Sequence, residues 1–182
     1  MLVRVGALYH DIGKMKNPTY FTENQSTGIN PHDELSSKES ARIITNHVIE
    51  GIEIAKKNNL PDRVIDFIRT HHGTSVVYYF YMQEKKNFED VDKLDFSYPG
   101  PKPFSKETAI LMMCDSIEAA SKSLKEPTST KIDAFVESII NKQIEEDQFL
   151  NANITFKEIQ AIKKVLKLKL ANIYHLRIEY PE

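Results

Sequence analysis

A single cysteine, Cys114, excludes a disulfide within this chain of 182 residues and leads us to expect a reducing compartment. Long apolar runs are missing as well. No stretch approaches the roughly 20 residues needed to cross a bilayer, and the first residues do not show the charged, apolar and cleavage-site order of a signal peptide. Neither sign of charge dominates: 24 Lys and Arg against 26 Asp and Glu leave a net charge of −2. That balance gives no global electrostatic case for polymeric nucleic acid or a membrane surface, although a local basic pocket stays open. Sustained period-two alternation is absent, so no strand is expected. With 41% hydrophobic and 27% charged residues, what remains is an ordinary globular composition, long enough for one well-buried core.

Apolar residues recur mostly at intervals of three and four, which predicts an all-α fold of about seven helices. The first is expected from Leu2 to about Lys14, with Leu2, Val5, Leu8, Tyr9 and Ile12 on one side. Residues 17–36, with two prolines, a glycine and several Asn, Ser and Thr, read as a long loop of the kind that often carries function. "SSKE" resembles a capping box opening a second helix over Ser37 to Asn58. Pro61 starts a third helix and Gly73 ends it. A fourth is expected over about Ser75 to Lys86, followed by the proline-rich break "SYPGPKPFS". The remaining three are expected over Lys106 to Leu124, Thr130 to Asp147 and Thr155 to Ile178. The start is abrupt: "MLVRVGALYHD" enters a helical pattern with no capping residue before it, so a fragment of a longer protein is expected.

The six histidines carry the chemistry. His10 and Asp11 adjoin near the end of the first helix, His47 lies inside the second, and His71 and His72 form a doublet at the end of the third. Asp115 interrupts the apolar stretch "ILMMCDSIEAA", where an ionised carboxylate is costly to bury unless paired or metal-bound. Taken singly, each has an ordinary reading as a surface, core or helix-end residue. Together they offer imidazole and carboxylate donors suited to iron, manganese, zinc or cobalt, without the thiolates of a structural zinc site. Four His and two Asp exceed the needs of one catalytic ion and suit two ions bridged by a carboxylate, which activate water and clamp a phosphoryl group. Lys14 follows by one turn. It either neutralises a phosphate oxygen or is a solvated lysine favoured by the helix dipole.

"HDIGK", a separated His, an "HH" doublet and a later Asp resemble the HD-domain phosphohydrolases. Longer stretches are more specific: "GALYHDIGKMKNPTYFTENQ", "NPHDELS", "FIRTHHGTSVVYYFY", "YPGPKPFSKETAILMMCDSIEAASKSL" and "IYHLRIEYPE" resemble the C-terminal HD domain of the seven-transmembrane HD (PgpH-type) family. That resemblance implies an all-α HD-domain helical bundle over 1–182 as a single domain, and a cyclic di-AMP phosphodiesterase producing linear pApA. It implies metal ligands at His10, Asp11, His47, His71, His72 and Asp115, with Asp11 bridging. His47, His71 and His72 would complete one ion, and His10 and Asp115 would serve the other. Two divalent ions are implied, Fe or Mn foremost, with Zn, Co and Ni as alternatives. The family's further histidine, one helix upstream, is not in this sequence, so the second ion is expected to bind weakly. A cytoplasmic domain tethered to the inner membrane face by an upstream membrane region of the same protein is implied, and a homodimer stays open.

A cyclic dinucleotide brings bases and phosphates. Tyr78, Tyr79, Phe80 and Tyr81 are candidates to stack on a base, Tyr79 foremost, as are Tyr20 and Phe21. Lys14 and Lys102 are candidates for phosphate, the latter against a reading of "YPGPKP" as a rigid connector. His32 is read as a supporting or loop-bonding residue, His175 as structural and Cys114 as packing. Two alternatives compete. One is an HD hydrolase of cyclic di-GMP, a dNTP or an alarmone, although "HHGTS" is not followed by the Gly-Tyr-Pro of the HD-GYP type. The other is a non-catalytic nucleotide-binding module with an incomplete metal site.

Overall fold

The structure is a computed structural model that describes residues 1–25 and 30–175, the side chain of His175 excepted. Among the described residues it contains seven α-helices and no strand, so the fold is all-α. The chain divides into two compact units, Met1–Lys102 and Pro103–Glu182.

In the first unit, α1 (Leu2–Tyr9) packs on α3 (Asp62–Thr70), with Gly6 directly over the buried Phe67 ring. The long α2 (Ser37–Lys57) is the frame. The expected capping box starts it: Ser36 Oγ accepts from the Glu39 N–H at 3.2 Å, and the Glu39 carboxylate accepts from the Ser36 N–H at 3.0 Å. One end of α2 packs Ala41 with Phe80 of α4 (Tyr78–Asn87) and with Phe96, and the other packs Ala55 with Ile65 and Ile68 of α3. Its middle carries the buried His47, Val48 and Gly51. The chemistry therefore sits between two apolar clusters that fix the helix.

Three expectations are corrected here. The first helix does not continue to Lys14. It ends at Tyr9, and Asp11 adopts φ −99° and ψ 12°, turning the chain into a 3₁₀ helix, Ile12–Lys16, that lies against α2. The loop 17–36 is locally wound among its described residues, with 3₁₀ turns at Pro18–Tyr20, Thr22–Asn24 and Pro31–Glu34, two of them opened by the prolines. The fourth helix starts at Tyr78 rather than Ser75. Its approach is extended, because Val77 donates to the Phe96 carbonyl and Ser75 accepts from the Tyr98 N–H, both at 2.8 Å. Gly73, at φ 53°, ends the turn after α3 as expected.

The second unit consists of α5 (Lys106–Ser121), α6 (Ser129–Glu145) and α7 (Phe156–His175). The fifth helix closes before Leu124 in a tightened turn, with Ser123 and Leu124 donating to the carbonyls of Ala120 and Ser121. The expected end of the seventh helix at Ile178 lies outside the described residues. Met112, Met113 and Ile117 meet Ile132, Val136 and Ile140, with Ile159 and Leu170 closing the core. Lys163 is 2% exposed, and its ammonium is held by Glu137 at 2.7 Å and Asn141 at 2.6 Å. No helix among the described residues is long and apolar enough to cross a membrane.

Glu158 caps α7 through the Thr155 N–H at 2.8 Å and pairs with Lys106 at 2.6 Å. The Lys106 bond first, and then Thr155, hold its carboxyl down to about 2 from an ordinary 4.5. A lowered folded-state value stabilises above the unfolded value, and the effect is lost as pH falls through the folded one. Glu158→Gln is therefore expected to lower the melting temperature slightly at pH 7. Thermal melts should show that gap closing between pH 4.5 and 2, and a gap unchanged over that range would contradict the assignment.

Candidate metal centre

Three segments of the first unit supply the cluster: the turn after α1, the middle of α2 and the end of α3. Each carries an imidazole oriented by the same device. Nδ1 of His10, His47 and His71 lies 3.0, 2.5 and 2.8 Å from the carbonyls of Ala7, Ile44 and Ile68, each three residues earlier. A carbonyl only accepts, so Nδ1 carries the proton and Nε2 presents its lone pair. These lone pairs converge on Asp11. Nε2 of His47 and of His71 are 3.1 Å apart and lie 3.4 and 3.5 Å from Asp11 Oδ1, while His10 Nε2 is 3.2 Å from Oδ2.

Asp11 Oδ1 is shielded from water and receives no hydrogen bond from the described residues. Lone pairs facing one another at these distances repel unless a cation lies among them. One donor atom from each of Asp11, His47, His71 and His72 lies within 4.8 Å of the others. Imidazole nitrogens and one carboxylate at that spacing fit a divalent metal ion.

The protonation states agree with that fit. Burial opposes ionisation of Asp11, yet the carboxyl is held well below the usual range, and the Lys14 ammonium 2.8 Å from Oδ2 favours the ionised form. Burial pushes His72 well below the ordinary imidazole value, helped by His71 and His47, so His72 is neutral. Both are the forms a metal takes.

Lys14 is no solvated helix-end lysine. Its ammonium lies 2.8 Å from Asp11 Oδ2 and 2.5 Å from Glu23. Desolvation works against its charge, but Asp11 and then Glu23 prevail, so the ammonium is held above its ordinary value.

Two aromatic neighbours complete the surroundings. Tyr98 stacks on His72 with centroids 4.1 Å apart and an interplanar angle of 26°, and Phe21 meets His47 edge-on at 5.6 Å. Neither contact follows from the sequence, in which Phe21 is a base-stacking candidate and the only signal for Tyr98 is an aromatic residue in the stiff "YPGPKP" stretch. Gly100 of that stretch, at φ 77°, packs against Thr74, which places the segment beside the residues that follow the His doublet.

The other sequence candidates fall as follows. Tyr79 is exposed on α4 and lines a cavity together with Tyr20 and Phe21. Phe80 is core, and Tyr81 packs against it. Lys102 is half-buried at the end of the first unit. Asp115 is half-buried on α5 of the second unit, beside Cys114, whose thiol is pushed up by burial and then by the Asp115 charge. That makes Cys114 inert. His32 is a loop-bonding residue, with Nε2 2.9 Å from the Tyr20 carbonyl. The side chain of His175 lies outside the described residues.

An all-α fold presenting a His-Asp pair, a mid-helix histidine and a histidine doublet around one carboxylate defines a class. The chain belongs to the HD domain family, whose model matches residues 1–120. It is 47% identical over its whole length to the cyclic-di-AMP phosphodiesterase PgpH of Listeria monocytogenes and 43% identical to PgpH of Bacillus subtilis. It spans about a quarter of the length of these relatives, 25% and 26%. Among solved structures, it matches the HD domain of L. monocytogenes PgpH in complex with cyclic-di-AMP with a TM-score of 0.92 at 46% identity, covering 95% of this chain and 81% of that one. A second structure of that HD domain matches with a TM-score of 0.90.

Proposed function

We propose that this chain is the catalytic HD domain of a metal-dependent phosphodiesterase that opens cyclic di-AMP to linear pApA. One observation carries the chemistry: imidazole lone pairs converge on a buried carboxylate oxygen that no described residue satisfies. The 46%-identical HD domain solved with cyclic-di-AMP supports the substrate. Its coverage of 95% of this chain supports residues 1–182 acting as one domain.

His47, His71, His72 and Asp11 would hold one ion. By the family pattern, Asp11 would bridge to a second ion served by His10 and Asp115. By the same pattern the ions would be iron or manganese foremost, with zinc, cobalt and nickel as alternatives that these donors also suit. When bound, two such ions supply Lewis-acid charge for activating water and for the phosphoryl oxygens.

The chain's own residues do the rest. Backbone carbonyls lock the imidazoles in one tautomer and one orientation, so the donors are set before any ion arrives. Lys14, tethered between Asp11 and Glu23, presents a fixed positive charge for a phosphate oxygen. Lys102 is a second phosphate contact, and Tyr79 offers a face to a base. Ring opening consumes one water: a P–O bond forms, the bond from phosphorus to the 3′ oxygen breaks, and that oxygen takes a proton. The substrate is a small cyclic dinucleotide, not a polymeric nucleic acid. The domain works on the cytoplasmic side, tethered to a membrane region of a longer protein, and a homodimer is compatible with this reading.

Incubation with cyclic di-AMP and Mn²⁺ or Fe²⁺, followed by chromatography, should show pApA, with cyclic di-GMP consumed at least about tenfold more slowly. Elemental analysis of protein purified without chelators should find at least one tightly held ion per chain, with the second, weaker site filled on adding excess Mn²⁺. Metal-loaded protein that releases no pApA, or that prefers cyclic di-GMP, would sink the proposal.

A further inference from the structure

The last helix of the second unit divides its charge between two faces. Over Phe156–His175 it carries Lys157, Lys163, Lys164, Lys167 and Lys169 against a single acid, Glu158. Two of these lysines face α6 and are neutralised there: Lys163 by Glu137 at 2.7 Å, and Lys167 by Asp133 at 2.6 Å and Glu137 at 2.7 Å. Glu158 is taken by Lys106. Lys157, Lys164 and Lys169 are exposed and make no ion pair among the described residues. The helix thus turns three uncompensated positive charges outward.

Apolar side chains lie among these charges. At roughly 100° per residue, Ala161, Val165 and Leu168 share the face opposite the buried Ile159, Lys163 and Leu170. Val165 is 54% exposed and Leu168 60%. Lys157 and Lys164 border this strip on one side, and Lys169 borders it on the other. Toward α5, Lys169 and Ile173 line a cavity of about 270 Å³ whose walls include Ile117, Leu166 and Leu170. The one carboxylate there, Glu118, pairs with Lys122 at 3.3 Å, so Lys169 leaves the cavity's mouth net positive.

Three lysines on one face repel one another, and the apolar strip between them gains nothing from water. A partner that offers negative charge and apolar depth together relieves both. An interface of anionic lipid headgroups does so, because lysine stems can run along the apolar layer while their ammonium groups stay at the phosphates. A second copy of this face would instead set Lys164 and Lys169 against their own equivalents. An acidic peptide would match the lysines but bring nothing for the apolar cavity.

We infer that the outer face of α7 docks on an anionic lipid surface, with Val165 and Leu168 at headgroup level and Lys157, Lys164 and Lys169 on lipid phosphates. The inference rests on the reading above only in taking the domain to work beside a membrane. It adds which face is turned toward that membrane.

The chain has no tryptophan, so Leu168→Trp, at an exposed position, reports on this face alone. In about 0.1 M salt, vesicles of phosphatidylglycerol and phosphatidylcholine in equal parts should shift its emission to shorter wavelength, and brominated acyl chains should quench it. Pure phosphatidylcholine should do neither, and about 0.5 M salt should reverse the shift. Co-sedimentation of the wild-type chain with the same vesicles gives the affinity. Lys157→Glu/Lys164→Glu/Lys169→Glu should weaken that affinity about a hundredfold or more, while opening cyclic di-AMP in free solution at the wild-type rate.

No shift with anionic vesicles, or unchanged co-sedimentation of the triple variant, would overturn the docking face. The functional reading would stand, since turnover in solution does not need that face. A shift that grows with protein concentration in the absence of vesicles would assign the face to a second copy. One produced by soluble polyglutamate but not by vesicles would assign it to an acidic peptide. Either outcome would overturn the lipid assignment.

Discussion

Asp11→Asn is expected to abolish stable divalent-metal loading and to cut cyclic di-AMP hydrolysis by about 10³-fold or more, while the metal-free fold survives or gains stability. The surroundings of Oδ1 set both effects. In metal-free protein it faces the Nε2 lone pairs of His47 and His71 at 3.4 and 3.5 Å, and those two nitrogens face each other at 3.1 Å. Asparagine is isosteric but brings an N–H₂ group. Turned toward the imidazoles, it donates where the carboxylate could only repel. The same change removes the negative charge that draws a dication into the site and the anionic oxygen that suits iron or manganese. Melting curves read both effects at once. Wild-type protein should gain stability on adding Mn²⁺ and lose it with chelator, as ligand linkage requires. Asp11→Asn should melt at or above the metal-free wild-type temperature and not respond to Mn²⁺. A variant that keeps the Mn²⁺ response would remove Asp11 from the coordination set. One that melts well below metal-free wild type would contradict the convergence of lone pairs.

Much of this arrangement was legible in the sequence, for reasons that differ by residue. Start signals are local, so the capping box at Ser36 and Glu39 and the proline at 61 could be read directly. The grouping of Asp11, His47, His71 and His72 was legible because those residue types are costly to bury without a shared task, and the structure brings all four within 4.8 Å. What escaped reading depends on contacts distant in sequence. Tyr98 reaches the face of His72 because the 96–98 segment pairs with 75–77, and nothing in "YPGPKP" announces a register. Phe21 lies over His47 because the 3₁₀ turns fold residues 17–25 back, whereas composition alone reads as loop. For His32, a loop hydrogen bond was foreseen. Which nitrogen would make it, and so which would be left as an acceptor, needed the position of the Tyr20 carbonyl.

Gly13→Ala is expected to destabilise the protein by about 3 kcal/mol or more and to weaken metal binding in the same step. From sequence, Gly13 falls within the helix expected over Leu2 to about Lys14. The structure shows why it is glycine. A Cβ at this position would stand 1.8 Å from the His47 carbonyl oxygen and 2.6 Å from the Gly51 backbone nitrogen. Both obstacles are backbone of the rigid α2, so no side-chain rotation relieves the clash. Gly51 faces the same contact from the other side, where its own Cβ would meet Gly13 N at 3.2 Å and Ile68 at 2.9 Å. Two glycines thus let the 12–16 turn lie directly on α2. The turn can accept a methyl group only by moving off the helix. Asp11 sits two residues before Gly13, while the obstructing carbonyl belongs to His47, so that movement draws Asp11 Oδ1 away from His47 Nε2. Fold and site share one contact and should fail together. Urea unfolding of metal-free protein measures the first effect, and Mn²⁺ titration under native conditions the second. Unchanged stability would refute the close approach. A large loss of stability with wild-type metal affinity would refute the coupling of that approach to the ligand geometry.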